Sequence, residues 1–556
     1  MSELLLGVDD PRHTFGRFLT EVAARHGDRR AVVGAGRSLT YLALESESRA
    51  LARALIGAGV VKGARVALLM ANRPEWIVSA FAVGMVGGVL VPVNTFAGRD
   101  ERDYILRHSD ASALLMQPSL RRQPFLDDLL DAHPEIEAGA PGRLVVRALP
   151  QLRRVVSLGL EAPRGGVETW EGLLARGEHV PDGLLDALRD EVVPSDDGLV
   201  IYTSGTTAHP KGVLHTQRAA MLQGWRFADM LRFTPEDRLY TTYPFFWTAG
   251  IAMSIGGALA AGACLLLDEV FEPGAALDVI EAERATAVHA WPHQHKALGE
   301  HDSAPRRDLS SLRKIDFSSP LAKLAGIETD EYGPGASYGL SETFTIASGL
   351  PADAPLALRR GSSGVPWPGM QLRIVDPETG REVEPGAEGE IAVKGVTLMR
   401  GYYKVAPENV FDADGFFRTR DAGSIDAAGH LHWTGRLSNL IKTGGANVSP
   451  VEIQRVLEQH PRVKVGIPVG IDHPTLGEAL VLCAVPVEGE RIDEAEIRGW
   501  LRERLAAYKV PRRVLAFRPD ELSYTGSQKV QVEPLRAAAL ARLVEERSEI
   551  AGHRYG

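Results

Sequence analysis

The sequence predicts an α/β protein: a large N-terminal domain of doubly wound sheets with a small β-rich, barrel-like unit, then a small α+β C-terminal domain. Three observations predict it. Helical and strand periods alternate through the first 340 residues, the pattern of parallel sheets covered by helices on both faces. From about Gly361 the pattern changes to short strands broken by Pro-Gly and Asp-Gly turns. From Val448 helix and strand signals restart. At roughly 150 residues per domain the chain corresponds to three or four folding units.

The elements follow in order. Thr40 to Gly59 is helical in period, with Leu42, Leu44, Leu51 and Leu55 apolar. Ala64 to Met70 reads as a short apolar strand, Pro74 opens a second helix, and Gly88 to Asn94 is the next strand. Phe125 to Leu152, with its prolines, glycines and arginines, reads as a surface excursion. Two uncharged runs, Trp76–Asn94 and Phe245–Leu267, carry no flanking Lys/Arg cluster. The second is long enough to span a bilayer. Its Gly250, Gly256, Gly257 and Gly262 suit a buried helix running into a buried strand. The β-rich unit covers about 361–435, punctuated by Val365-Pro-Trp-Pro-Gly, Asp376-Pro-Glu-Thr-Gly and Asp414-Gly.

Lys+Arg is 62 and Asp+Glu is 72, a net charge of −10, which disfavours binding to nucleic acid. Two distant cysteines, Cys264 and Cys483, exclude a disulfide scaffold and fit a reducing compartment. The N-terminus turns acidic within ten residues, so no secretory leader is expected. The expectation is a cytoplasmic protein without an integral membrane segment. His293/His295 and His430/His432 form His-x-His pairs, but neither has neighbouring cysteines, and no zinc site is expected there.

The most informative stretch is Thr203-Ser-Gly-Thr-Thr-Ala-His-Pro-Lys211-Gly. Hydroxyls at Thr203, Ser204, Thr206 and Thr207 surround Gly205, and Lys211 follows a proline. Small residues let backbone amides approach an anion, hydroxyls donate further hydrogen bonds, and the lysine adds charge. The spacing is not that of a Walker A loop. The string resembles the phosphate-binding signature of the adenylate-forming superfamily, the acyl-CoA synthetases and their relatives, with Ala208 where glycine is usual.

Further motifs follow in that family's order. Tyr338-Gly-Leu-Ser-Glu342 resembles Tyr-Gly-x-Thr-Glu, with Ser341 keeping the hydroxyl. The resemblance implies that Ser337, Tyr338, Gly339 and Ser341 belong to the nucleotide site, and that Glu342 and the Thr206 hydroxyl hold Mg²⁺. A hard cation suits a carboxylate plus phosphate oxygens. Thr419-Arg-Asp421 is similar to Thr-Gly-Asp, with Arg420 at the glycine position, and Arg436 matches the family's second ribose contact. Leu440 to Ile453 resembles the loop that forms the thiol tunnel, which implies Lys442, Gly444 and Gly445 for coenzyme A. Ser438 stands at the usual hinge, which divides the chain into 1–436 and a mobile domain 437–556. Thr525-Gly-Ser-Gln-Lys529 aligns with the C-terminal Thr-x-x-Gly-Lys, with Gln528 replacing the glycine, and implies Lys529 as the adenylation lysine.

Pro244-Phe-Phe-Trp-Thr-Ala-Gly250 resembles Pro-Phe-Phe-His-x-x-Gly. By that likeness Phe246, Trp247 and Gly250, with His289, Trp291 and His293 further on, line an acyl pocket. The resemblance as a whole implies an ATP-dependent acyl-CoA ligase. It would use ATP, Mg²⁺ and coenzyme A to convert an apolar carboxylic acid to acyl-AMP and then to a thioester, with catalytic Lys529, Glu342, Thr206 and Lys211. A homodimer is left open, as is the identity of the acid: fatty, aryl, alicyclic or steroid-like. Rival readings are an adenylating enzyme with another acceptor and a nucleotide-binding homologue of reduced activity. An amino-acid-activating domain is disfavoured, because no aspartate in the Pro-Phe-Phe region could hold a substrate ammonium.

Overall fold

The computed structural model describes residues 10–203, 210–333, 335–437, 440–443, 446–505, 507–524 and 530–556. It divides into two units. Unit 1 comprises Met1–Leu372, Val393–Arg418 and Gly429–Leu431; unit 2 comprises Arg373–Ala392, Thr419–Ala428 and His432–Gly556.

Unit 1 is built on two large sheets. In the eight-stranded one the spatial order is Gly401–Tyr402, Lys211–Thr216, Asp197–Thr203, Val89–Pro92, Arg65–Leu69, Ala113–Met116, Arg154–Ser157 and Val167–Thr169. From Asp197–Thr203 onward the strands run parallel; the first two are antiparallel additions at one edge. Successive residues of a strand face opposite ways, and both faces here are apolar. Val66, Leu68, Leu90, Leu115 and Ile201 join one core with the helices Phe15–His26, Tyr41–Gly57, Pro74–Met85 and Gln217–Met230. Ala67, Leu69, Val91, Leu114 and Val200 join a second core on the other face. That two-sided burial is the reason the strands read as continuous apolar runs rather than alternating ones.

The five-stranded sheet runs Ala287–His289, Arg238–Thr241, Cys264–Leu267, Arg30–Gly34, Arg37–Thr40. The last two form a hairpin whose turn puts Ala35 at φ 49° and Gly36 at φ 72°. The run Phe245–Leu267 is a π-helix over Gly250–Gly256, a short α-helix over Gly257–Ala261 ended by Gly262 at φ 78°, and a buried strand over Cys264–Leu267. Its glycines serve a close crossing: a Cβ on Gly224 would lie 2.8 Å from the Gly256 Cα. Among the described residues no helix is long and apolar enough to cross a membrane.

The expectation for 125–152 needs correction. Phe125, Leu126, Leu129 and Leu130 lie on one side of the helix Phe125–Ala132, and with Ile136, Leu144, Val146, Leu149 and Leu152 they fill the second core. The i, i+1, i+4, i+5 spacing of Phe125, Leu126, Leu129 and Leu130 is a helical stripe; the Pro, Gly and Arg residues that follow it mask it.

In the β-rich segment, Met370–Val375, Gly389–Gly395, Phe417–Ile425 and Leu431–Arg436 follow that order in one sheet. The Asp376 carboxylate accepts from the Glu378 and Thr379 amides and closes the turn that Gly380 completes at φ 69°. Unit 2 also holds the antiparallel pair Val463–His473 and Gly477–Pro486, flanked by Ile441–Thr443 and, in parallel, by Arg513–Ala516. Val469, Val481 and Cys483 face the helix Val532–Glu545, while Leu480, Leu482 and Ala484 face Pro450–Leu457 and Glu494–Arg502.

Candidate active site

The threonine-rich stretch joins the paired strands Asp197–Thr203 and Lys211–Thr216, with Thr203 opposite Lys211 in register. Ser204, Gly205, Thr206, Thr207 and Ala208 lie outside the described residues. The edge strand Gly401–Tyr402 pairs with the Lys211 strand, Tyr402 opposite Val213. This places the Lys211 ammonium 5.0 Å from the centroid of the Tyr402 ring. The Tyr402 hydroxyl donates to Glu342 Oε1 at 2.7 Å. Lys211, Tyr402 and Glu342 thus form one connected group at the end of the hairpin.

The Tyr338–Glu342 segment is fixed by its backbone. Ser337–Tyr338 pairs antiparallel with Ser348–Gly349, and Ser341–Thr343 forms a single helical turn. The chain then doubles back through Phe344 at φ 51° and Thr345 at φ 90°. Gly339 is required there, because a Cβ would sit 2.1 Å from the Thr345 carbonyl oxygen. Two buried side chains hold the carbonyls of this turn. His215 Nε2 lies 2.7 Å from Ser341 O and so donates to it. The Gln223 amide nitrogen is within 3.1 Å of Thr343 O and Phe344 O and 2.7 Å of Ile346 O. Burial pushes the His215 pKa down to about 4, so the ring is neutral and its tautomer is set by that carbonyl. Ser337, Ser341 and Glu342 are half-buried and Tyr338 is buried.

The proposed acyl residues meet in an aromatic cluster. Phe246 and Trp247 pack edge to face at 5.1 Å, and Phe96 caps Phe246 at 5.2 Å. Trp247 reaches Trp291 at 6.2 Å, Trp291 reaches Tyr243 at 4.7 Å, and Tyr243 stacks on His289 at 5.4 Å. The Asn72 side chain ties the Tyr243–Phe245 backbone at both ends, donating to Tyr243 O at 2.9 Å and accepting from Phe245 N at 3.0 Å. Gly250 packs against the Pro244 carbonyl, where a Cβ would lie 2.2 Å from the oxygen. His289 is buried, its Nδ1 3.2 Å from Ser254 Oγ, and burial lowers its pKa to about 3. His293 stands exposed on the helix Pro292–Gly299, unlike the others.

In unit 2, Arg436 Nε lies 2.9 Å from Asp421 Oδ1, and Arg436 also donates to Thr419 O at 3.1 Å. Asp421 is buried whereas Arg436 is half-exposed. Arg420, at the position where the family motif has glycine, adopts φ 61°. Its amide donates to the buried Glu390 carboxylate at 2.9 Å. Lys442 is exposed on the strand Ile441–Thr443, and its amide donates to Glu478 at 2.7 Å. Ser449 caps the helix Pro450–Leu457 by accepting from Glu452 N. Ser438, Gly444, Gly445, Gln528 and Lys529 lie outside the described residues.

Sequence reasoning missed Tyr402, His215, Gln223, Asn72, Tyr243 and Phe96. Two carried a signal: His215 lies in the strand that follows Lys211, and Phe96 follows an apolar run. Gln223 and Asn72 carried none, since their partners are backbone groups distant in sequence.

Glu342 is chemically suited to Mg²⁺. One carboxylate oxygen is committed to Tyr402, and no partner is seen for Oε2 among the described residues. Those residues include no group of three or more His, Cys, Asp or Glu placed to hold a metal ion. A cation at Glu342 would therefore take the rest of its shell from nucleotide, water and hydroxyl oxygens, the usual manner of Mg²⁺.

Residues 19–403 match the AMP-binding enzyme family, and 452–529 match the AMP-binding enzyme C-terminal domain. The chain is 34% identical to a feruloyl-CoA synthase of Amycolatopsis sp over 522 residues, 91% of this chain and 94% of that protein. It is 33% identical to an indoleacetate–CoA ligase of Aromatoleum aromaticum over 507 residues, 90% and 93% of the two chains. The amide bond synthetase McbA of Marinactinospora thermotolerans superposes with a TM-score of 0.75 at 31% identity, covering 94% of this chain and 99% of that one.

Proposed function

The chain belongs to the AMP-binding enzymes of the adenylate-forming superfamily, and on that premise we propose how its residues divide the work and which acids it takes. It is an AMP-forming acid–thiol ligase whose substrates are a carboxylic acid, ATP and coenzyme A. In the first half-reaction the acid's carboxylate oxygen attacks the α-phosphate of ATP, acyl-AMP forms and pyrophosphate leaves. In the second, the thiol sulfur attacks the acyl carbon and AMP leaves.

The turn from Thr203 through Ser204, Gly205, Thr206 and Thr207 to Lys211 grips the β- and γ-phosphates. The observation that carries this reading is the Lys211–Tyr402–Glu342 group, which sets a cation and a carboxylate together at that turn. Mg²⁺, when bound by Glu342 and the Thr206 hydroxyl, neutralises phosphate charge. Tyr338, with Ser337, Gly339 and Ser341 beside it, lies against the adenine; Asp421 and Arg436 take the ribose hydroxyls. Lys529 supplies point charge at the carboxylate and α-phosphate during adenylation, and Lys442, Gly444 and Gly445 guide the thiol. The mobile domain is 437–556, pivoting at Ser438. The substrate's own carboxylate is the nucleophile, so no general base is needed.

The acid is apolar and aryl. Phe246, Trp247, Trp291 and Tyr243 offer flat ring faces and edges at the 4.7–6.2 Å spacing at which aromatic rings attract one another. The relatives that act on feruloyl and indoleacetyl groups support the same class. His293, being exposed, contributes least to this wall. The free, buried Cys264 and Cys483 support a reducing, cytoplasmic setting.

The test is acid-dependent pyrophosphate release, with thioester analysis, across cinnamic, arylacetic, alicyclic, fatty and amino acids. Aryl acids should give the highest kcat/KM and yield CoA thioesters, and Lys529→Ala should slow pyrophosphate release. Pyrophosphate release with no acid of the panel, or amide products in place of thioesters, would overturn the reading.

A further inference from the structure

The Glu342 carboxylate is held from outside its own segment. Tyr402 sits on a two-residue edge strand tied on both sides of its position, since Arg400 N donates to Leu214 O at 2.8 Å and Tyr403 N to Gly212 O at 2.7 Å. The same short stretch grips Glu342 twice. Met399 N donates to the Glu342 carbonyl at 2.7 Å, and the Tyr402 hydroxyl donates to Oε1 at 2.7 Å. The Tyr402 ring is fixed against Phe417, edge to face at 6.3 Å, beside the buried Val213 and Met399. Its face meets the Lys211 ammonium at 5.0 Å.

A carboxylate with one oxygen engaged and its carbon skeleton anchored presents its second oxygen in a fixed direction. A ring face holds an ammonium by its quadrupole without neutralising it, so the lysine's charge stays available to an anion. A carboxylate in the place of this tyrosine would neutralise Lys211, and an aliphatic residue would leave both groups to swing.

We propose that Tyr402 is a positioning residue of the nucleotide site. Its hydroxyl aligns Glu342 so that Oε2 faces the cation accompanying ATP, and its ring carries Lys211 toward the triphosphate. The proposal rests on the assignment of Glu342 and Lys211 above. Outer partners of this kind typically change metal affinity by about 10–100-fold when lost.

The test uses the full chain with ATP and no acid, and follows Mn²⁺ binding to the enzyme–ATP complex by the paramagnetic resonance signal of free Mn²⁺. Tyr402→Phe keeps the ring and its packing. It should raise the Mn²⁺ concentration for half-saturation by about tenfold, with the melting temperature of the nucleotide-free protein unchanged. Tyr402→Leu also removes the ring face, and should in addition weaken ATP binding at saturating Mn²⁺ by a further several-fold, about what one cation–π contact provides. Glu342→Gln is the control for the underlying assignment. If Glu342→Gln shifts the Mn²⁺ curve and Tyr402→Phe does not, the role of Tyr402 is overturned while that of Glu342 stands. If Glu342→Gln leaves the curve in place, the assignment of Glu342 itself fails. Equal ATP affinity for the Phe and Leu variants would overturn the part of the proposal that concerns Lys211.

Discussion

The Tyr338–Glu342 segment of unit 1 and the Asp421–Arg436 pair of unit 2 are both assigned to the nucleotide, yet they are held in different ways. In the first, the carbonyls of Ser341, Thr343, Phe344 and Ile346 are bound by the buried side chains His215 and Gln223, and a Tyr hydroxyl fixes the carboxylate. In the second, a buried aspartate faces a half-exposed arginine, next to a residue at φ 61°. The difference teaches that the segment proposed for phosphate and cation, where direction matters, is held by satisfying the backbone of a turn with two residues at positive φ. The pair proposed for the ribose instead joins a buried carboxylate to a half-exposed guanidinium.

The sharpest way to break that comparison is Gln223→Leu. Up to three buried carbonyls lose their donor at once, and Arg226, which lies 3.4 Å from Gln223 Oε1, loses an acceptor. An unsatisfied buried polar group costs about 1–3 kcal/mol, so a loss of about 4 kcal/mol is expected in urea denaturation. Arg436→Ala should lower stability by about 1 kcal/mol or less, because half the arginine is in water. Comparable losses for the two variants would erase the distinction.

Acid sharpens it next. His215 and His289 both lie in unit 1, with pKa values lowered by burial to about 4 and about 3, against about 6.5 in the unfolded chain. Between these values the unfolded chain binds more protons, so the stability these neutral rings confer is fully present above about pH 6.5. It is lost progressively as the pH falls from there towards the folded values. About 2 kcal/mol per histidine should be gone at pH 5. A series of urea midpoints from pH 7.5 to 5 should fall accordingly, and His215→Asn should about halve the fall, leaving the part due to His289; a wild-type series that stays level would show that burial of these rings has no such effect.

The smallest expected effect is a gain. Arg420 occupies the left-handed region that costs a residue with a Cβ about 1 kcal/mol. Arg420→Gly relieves the strain but loosens the unfolded chain, so the net gain should be under about 1 kcal/mol, read as a higher urea midpoint. A fall would mean that the Arg420 side chain makes a contact worth more than the strain.

Much of this was legible in the sequence. The doubly wound sheets follow from apolar runs separated by helical periods, and the buried helix and strand of 245–267 were expected from its glycines. The family motifs single out Lys211, Tyr338, Glu342, Asp421 and Arg436; in the structure Lys211 and Glu342 share Tyr402, and Asp421 pairs with Arg436. What stayed hidden is what sequence spacing cannot encode. Tyr402 is 60 residues from Glu342, and Gln223 is 120 from Thr343, so only the sheet edge and the helix bring them together. The leucine stripe of 125–130 was masked by the prolines and arginines that follow it. Arg420 reads as a departure from the motif, and it stands at φ 61°, in the region that favours glycine.

The proposed function requires that a triphosphate be held between Lys211 and Glu342. Calorimetric titration of the intact chain with MgATP tests it most directly. Saturable binding at one site per chain is expected, weakened at least tenfold by Lys211→Ala and by Glu342→Gln, about 1.4 kcal/mol each. No binding to the folded wild-type chain, or binding that neither substitution alters, would contradict it.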